Sequence, residues 1–466
     1  MAENKIIHKF FSPAGIAIIG SFRPGLFGGY VAVKTLMDGG FKGKIFPVNP
    51  SYKEVLGCNV YPSLMEIDEK IDLALIMIGC KNVPTIIQQC AEKNIKAVVI
   101  VSDGFAERDE AGKKLQKEID DIAAAAGIRI IGPNTSGTGS SADDFNPCPY
   151  TSGYSRLNKG GVSICAQTGM INPQAYPYAD LGYGISKICD LGNKCDVDEC
   201  DIIEYLGQDP HTSVISIYME STRQGRRFQK IAAKVSPKKP ILVLKSGRTQ
   251  KGAKASASHT GSLALDDKIF DPVCRQSGII RLTNFSEIFT LPKIFAMQPL
   301  PMGNRFGVIS FTGGVGVLCT DESTKYGLEV TPFTGPTADK LSDIFSNLGQ
   351  NPVDMGPASA SLKDFGACYG DIIQPAVMDD NIDCALSVLW ADPSGGLSKV
   401  YLKAYEKMQG KLKIPLVTWI YGPDLQKMEN LRSRLEKMNF PVFSELETAV
   451  KALGIAYQYT LIRDKM

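Results

Sequence analysis

The chain has 466 residues, which at roughly 100–200 residues per domain suggests about three domains. Its 44% apolar and 21% charged composition is globular, and 51 basic against 49 acidic residues leave no excess positive charge for nucleic acid or an anionic membrane. No uninterrupted apolar run approaches the ~18 residues of a spanning helix, and the N-terminus places Glu, Lys and His before any apolar run, unlike a secretory signal. Twelve Cys without a C-x-x-C pair suit a reducing cytosol; the loose group Cys189, Cys195 and Cys200 matches no zinc spacing, so no metal site is expected.

In chain order, residues 15–19 read as a short apolar strand ending at Gly20, followed by a loop carrying Gly25, Gly28 and Gly29. A helix is expected over 30–38, closed by Gly39 and Gly40. Strands are expected at 44–48, 71–78, 97–101 and 129–131, with a helical pattern over 83–94. Strands alternating with helices imply a parallel sheet covered on both faces. Residues 138–160, rich in Ser, Gly, Asn, Pro and Tyr, read as a linker or surface loop. A second α/β unit follows, with strands at 161–166, 187–191, 213–219 and 241–245. Residues 297–303 look like a second linker, and a third unit places strands at 306–311, 384–389, 416–420 and 441–443. The expected domains are 1–137, 155–296 and 303–466.

Three segments could carry chemistry. The first is Gly20-Ser-Phe-Arg-Pro-Gly-Leu-Phe-Gly-Gly, containing Ser21, Arg23 and Gly28, between a strand and a helix where backbone N–H groups face an anion. The next strand ends in Pro47-Val48-Asn49-Pro50, without the acidic tip of a nicotinamide site; this disfavours an NAD(P)-dependent oxidoreductase and leaves a phosphate-bearing, nucleotide-like ligand. A tight turn that binds nothing is the alternative. The second is Ala166-Gln167-Thr168-Gly169-Met170, at a strand end and expected to start a helix that could hold phosphate, or else an ordinary cap. The third surrounds His259, one of only three His; His8 is expected on a surface helix and His211 in a turn. His259 sits in a small, polar stretch with Lys245 and Arg248 upstream, so it reads as a nucleophilic imidazole on a loop or as a solvated loop His. Glu220, at the end of the strand 213–219, is a candidate partner for its other nitrogen, or else a surface or capping carboxylate.

At these residues the chain resembles the alpha subunit of the ADP-forming (NDP-forming) acyl-CoA synthetases of the acetate–CoA ligase type, within the succinyl-CoA synthetase superfamily. The resemblance rests on Phe11-Ser-Pro, Gly43-Lys-Ile-Phe-Pro-Val-Asn-Pro, Gly132-Pro-Asn, Leu191-Gly-Asn-Lys, Asp209-Pro, Ser258-His-Thr-Gly-Ser and Asn351-Pro-Val-Asp, in the family's order. It implies a Rossmann-like CoA-binding domain followed by two flavodoxin-like domains. It implies CoA contacts from Gly20, Ser21, Arg23, Gly28, Asn49, Pro50 and Asn134. It implies phosphate contacts from Gln167, Thr168, Gly169, Ser258, Thr260 and Gly261, a phosphohistidine at His259, and Glu220 as its stabiliser. Thr168 stands where the family more often has Ser, and Thr135 where it often has Cys; with the unusual segment 146–154 this points to an uncommon acyl group.

The implied reaction is that of an acid–thiol ligase: acyl-CoA, ADP and phosphate become carboxylic acid, CoA and ATP, reversibly, through acyl phosphate and phosphohistidine. One helix N-terminus near Thr168 and one from a partner would hold the phosphohistidine. The three α/β units leave no length for an ATP-grasp domain, so a separate ATP-grasp beta subunit is expected to carry ADP or ATP with magnesium, in an alpha2beta2 hetero-oligomer of the cytoplasm. A CoA-binding regulator without catalysis is the alternative, against which the Ser258-His259-Thr260-Gly261 sequence argues.

Overall fold

The computed structural model describes residues 2–150, 157–172, 175–252, 254 and 267–465. These fall into two compact units, residues 1–288 and 289–466. Among the described residues the first unit holds two large sheets and a small two-stranded one, Glu54–Val55 with Cys58–Asn59.

The first sheet runs in the order Lys44–Val48, Gly15–Gly20, Leu73–Met77, Ala97–Ile100, Arg129–Ile131, all parallel. Because side chains alternate along a strand, Ile16 and Ile18 enter one apolar core while Ala17 and Ile19 enter another. Both faces are therefore buried, which is why these strands read as unbroken apolar runs. The second core is closed by the helices Val83–Glu92 and Glu110–Ala126, through Val83, Ile87, Cys90, Ile119 and Ala123. The first core continues into the second sheet through Cys165, Ile215, Ile217 and Val243.

The second sheet runs Ile279–Arg281, Ile241–Lys245, Val214–Met219, Lys159–Ala166, Ile185–Asp190, Thr138–Ser140. Only the last strand is antiparallel. Residues 138–140 are thus an edge strand, and Phe145, Asn146 and Cys148 are buried beyond it. The expected linker is instead folded into the first unit up to residue 150. Its small, polar Thr-Gly-Ser strand lacks the β-branched alternation that marks a strand in a sequence.

In the second unit the order is Glu329–Val330, Arg305–Ser310, Cys384–Trp390, Leu416–Tyr421, Val442–Phe443, with Val353–Asp354 also pairing to Arg305–Ser310. All of its pairings are parallel. Residues 297–303 lie inside this unit rather than at its border. Among the described residues, no helix is long and apolar enough to cross a membrane.

Candidate functional site

Both large sheets of the first unit have a topological switch, where successive strands are laid on opposite sides of a central one. In open parallel sheets ligands settle in the crevice beyond the carboxyl ends of the strands at such a point. The central strands here are Gly15–Gly20 and Lys159–Ala166. Two adjoining cavities lie beyond strand ends of these sheets.

The larger, about 820 Å³, lies beyond Leu73–Met77, Ala97–Ile100 and Arg129–Ile131. Its lining includes Phe27, Cys80, Ser102, Asp103, Glu107 and Arg108. That volume falls within the ~300–1,000 Å³ range of small-molecule and cofactor clefts. Glu107 shapes its floor: its carboxylate accepts the amides of Gly104 and Phe105, at 2.6 and 3.0 Å, and the side-chain amide of Asn193. Burial would push the Glu107 carboxyl up, but the donors from Asn193 and the backbone outweigh it and hold it below the ordinary value.

The smaller cavity, about 230 Å³, lies beyond Lys159–Ala166 and Ile185–Asp190. Gln167, Thr168, Gly169, Thr135, Ser136 and Asp190 line it. Gln167 Oε1 accepts the Glu220 amide at 3.1 Å, linking the turn to the end of the strand Val214–Met219. Tyr218 donates to the Glu220 carboxylate at 3.1 Å. Asp190 accepts the Ser136 amide and hydroxyl, at 2.6 and 2.9 Å, and the Gly192 amide at 3.1 Å. Burial dominates these donors and pushes the Asp190 carboxyl up.

The cavities adjoin because one segment is zipped to another. The carbonyls of Ile130, Gly132 and Pro133 accept the amides of Val197, Cys195 and Asn193, at 3.0, 3.1 and 2.9 Å. The Asp190 amide donates to Gly137 at 2.9 Å. Gly192 makes the close approach possible: its φ is +54°, and a Cβ there would stand 2.3 Å from the Pro133 carbonyl oxygen. Arg129 adds a clamp: its Nε is shared between both Asp196 carboxylate oxygens, at 3.1 and 2.8 Å, and its Nη2 donates to Asp201 at 3.0 Å.

Of the residues read from the sequence as CoA contacts, Asn134 lines both cavities. Gly20, Ser21, Arg23, Gly28, Asn49 and Pro50 do not line either; they gather at the tips of the two neighbouring strands. Asn49 Nδ2 donates to the Gly20 carbonyl at 2.8 Å, and the Ser21 and Tyr52 hydroxyls stand 3.4 Å apart. Arg23 and Pro50 are exposed, and the Gly28 amide donates to Pro149 at 3.0 Å. The helix expected at residue 30 begins at Gly29, where a Cβ would press on Phe22 and the Ser21 carbonyl.

The helix expected after Thr168 is absent among the described residues. A single 3-10 turn, Gly169–Ile171, takes its place, with Thr168 accepting the Met170 amide at 3.4 Å. Gln167, Thr168 and Gly169 nevertheless meet in one cavity. Ser258, His259, Thr260 and Gly261 lie outside the described residues, as do residues 151–154 of the unusual segment. On either side of the His259 segment, Lys245 and Arg248 both lie 3.8 Å from Asp267, which heads the helix Asp267–Ser277. Lys245, read as a phosphoryl stabiliser, is fully buried and donates to the Ser246 carbonyl at 3.0 Å. His8 is exposed with Nδ1 3.0 Å from the Tyr205 hydroxyl, and His211 is exposed in its turn.

Sequence reasoning missed Glu107, Asp103, Arg108, Asp190 and Tyr150. The usable signal was position: Asp103, Glu107 and Arg108 follow the end of an apolar strand, Asp190 closes one, and Tyr150 lies in the segment already marked as unusual. Asp198, Glu199 and Cys200 bring ligand-type atoms within 4.8 Å of one another, but Asp198 caps the helix Glu199–Gln208 and Glu199 pairs with Lys194 at 2.9 Å.

Residues 14–139 match the family described as a CoA binding domain, and residues 159–295 the succinyl-CoA ligase like flavodoxin domain. The alpha subunit of acetate–CoA ligase (ADP-forming) I of Pyrococcus furiosus is 34% identical, over 97% of this chain and 98% of its own length.

This chain belongs to the ADP-forming acetate–CoA ligase family.

Acetate–CoA ligase (ADP-forming) II of Archaeoglobus fulgidus is 35% identical over 97% of this chain; the chain spans about two thirds of that relative, 67%. Among solved structures, a dinucleotide-forming acetyl-coenzyme A synthetase of Candidatus Korarchaeum cryptofilum, in complex with phosphate and ADP, superposes with a TM-score of 0.88 at 28% identity, covering 98% of this chain and 97% of that one. The α/β architecture expected from the sequence, a CoA-binding domain followed by succinyl-CoA ligase-like flavodoxin structure, is therefore shown.

Proposed function

We propose that this chain is the alpha subunit of an NDP-forming acyl-CoA ligase, with CoA in the larger cavity and phosphate in the smaller. The observation that carries this reading is that the two cavities adjoin and share Val101, Asn134 and Tyr150. A phosphate oxygen beside Gln167, Thr168 and Gly169 then stands next to the end of the cleft where a thioester would lie. Phosphate adds to the carbonyl carbon, the C–S bond breaks, and acyl phosphate and CoA result. His259 takes the phosphoryl group, releasing the carboxylate, and Glu220 holds the imidazole in the reactive tautomer. The group passes to ADP. Proximity, rather than a strong base, is the main contribution of such an arrangement.

The nucleotide and its magnesium belong, in this proposal, to an ATP-grasp beta subunit in an alpha2beta2 assembly. The support is alignment: the match to the Pyrococcus furiosus alpha subunit runs over nearly all of both chains. The domain bounds 1–137, 155–296 and 303–466 and a cytoplasmic location are part of the same proposal.

The test is ATP formation from acyl-CoA, ADP and phosphate with a candidate beta subunit. ATP should form only when both chains are present. Tight CoA binding with no ATP, using a beta subunit active with another alpha chain, would point to a regulatory CoA binder instead.

A further inference from the structure

Three residues line both cavities, and they are not equivalent. Val101 ends the strand side of the seam and brings no polar side-chain atom. Asn134 is exposed, with its backbone at φ +59°. Tyr150 is half-buried, and among the described residues its hydroxyl makes no hydrogen bond. Its ring is held rather than loose: it packs on Phe27 with centroids 5.0 Å apart, and the two residues form an antiparallel bridge. The neighbouring chain is pinned as well. The Pro149 carbonyl accepts the Gly28 amide at 3.0 Å, and the Cys148 carbonyl accepts the Thr35 hydroxyl at 3.2 Å.

A hydroxyl held at the meeting point of two substrate sites, with no protein hydrogen bond among the described residues, is free to face a ligand. When phosphate adds to a thioester, negative charge develops on the carbonyl oxygen. A preorganised neutral donor near that oxygen lowers the barrier, because its dipole is already in place when the charge develops. Resting on the assignment of the two cavities above, we propose that the Tyr150 hydroxyl donates a hydrogen bond to the thioester carbonyl oxygen during acyl transfer, which makes Tyr150 a catalytic residue. The new bond joins a phosphate oxygen to the carbonyl carbon. The bond that breaks is C–S, its electron pair leaving with sulfur, and the CoA thiolate takes up a proton from phosphate or solvent. Tyr150 keeps its own proton throughout. The surroundings favour that: burial, then the charges of Cys148, Asp190 and Asp103, push the phenol above its ordinary value. The same hydroxyl serves the reverse step, in which CoA adds to acyl phosphate.

Arsenate in place of phosphate isolates this step, because an acyl arsenate hydrolyses spontaneously. CoA thiol release from the full chain can then be followed without nucleotide, partner or His259. Acetyl-CoA, 4-hydroxybutyryl-CoA and feruloyl-CoA would be the probes. Tyr150→Phe keeps the ring against Phe27 and removes only the hydroxyl. Its kcat for arsenate-dependent thiol release should fall at least about tenfold, with KM for acyl-CoA and CoA affinity by calorimetry nearly unchanged. A wild-type kcat in Tyr150→Phe overturns the proposal, and so does a loss confined to CoA affinity, which would make the ring a mere wall. A wild-type chain that releases no thiol from any of the three probes sinks the acyl-transfer reading and this inference with it.

Discussion

Glu107 shows how one side chain can hold a ligand cleft in shape. It accepts two backbone amides and the Asn193 side chain, so it joins the loop after Ala97–Ile100 to the loop after Ile185–Asp190. Its folded pKa is depressed below the ordinary 4.5, with burial opposing and the Asn193 and backbone donors prevailing. The sign follows from linkage: above 4.5 the unfolded chain is also ionised and the contribution is fully present; as pH falls through the lower folded value it is lost. Glu107→Gln should therefore lower the denaturation midpoint at pH 7 and matter progressively less as pH drops below 4.5. A difference from wild type that stays constant over that range would contradict this account. Glu107 carries no motif, and its role depends on a partner 86 positions away. Sequence reading could not pair them. By contrast, Gln167, Thr168 and Gly169 were legible, because a polar turn after an apolar strand is a local signal.

At the scale of elements, the seam between the cavities depends on a turn that only Gly tolerates. Gly192 combines φ +54° with the backbone of Pro133 and Asn134 packed against its α-carbon. Gly192→Ala adds strain of about 1–3 kcal/mol before any clash is counted. The Leu191-Gly-Asn-Lys turn should then lift away from residues 132–134. Calorimetry should find weaker CoA binding and a lower melting temperature; wild-type values for both would contradict the packing. Within the same turn Lys194 is buried, pairs with Glu199 and donates to the Ser221 carbonyl at 2.6 Å, beside Glu220. The motif was visible in the sequence, but its physical reason was not. The strands read from the sequence lie within about two residues of their observed bounds, but the short buried strand Ile279–Arg281 was not read. The edge strand Thr138–Ser140 was not read either, because an edge of small polar residues looks like a loop until a partner strand is known. The helix expected after Thr168 is replaced by the short 3-10 turn Gly169–Ile171, and Asn172 beyond it accepts the Ala175 amide with its side chain at 3.0 Å.

For the whole molecule, three parallel-rich sheets were legible from alternating strand and helix patterns, because each buried strand carries its own apolar signature. Their grouping was not. Composition marked linkers at residues 138–160 and 297–303, and the chain groups into compact units 1–288 and 289–466. One face of the first sheet and residues of the second belong to the same apolar cluster, which joins the two sheets in one unit. That arrangement fixes the two cavities against each other within one unit, as the proposed acyl transfer between CoA and phosphate requires. The central claim is that a phosphoryl group leaves this unit on His259. The most direct measurement is phosphopeptide mass analysis after incubation with a beta subunit, magnesium and ATP, beside His259→Ala. An acid-labile phosphoryl group on the peptide containing His259, absent from the variant, is the expected result; an unphosphorylated chain, with CoA bound and the beta subunit active, would contradict the account.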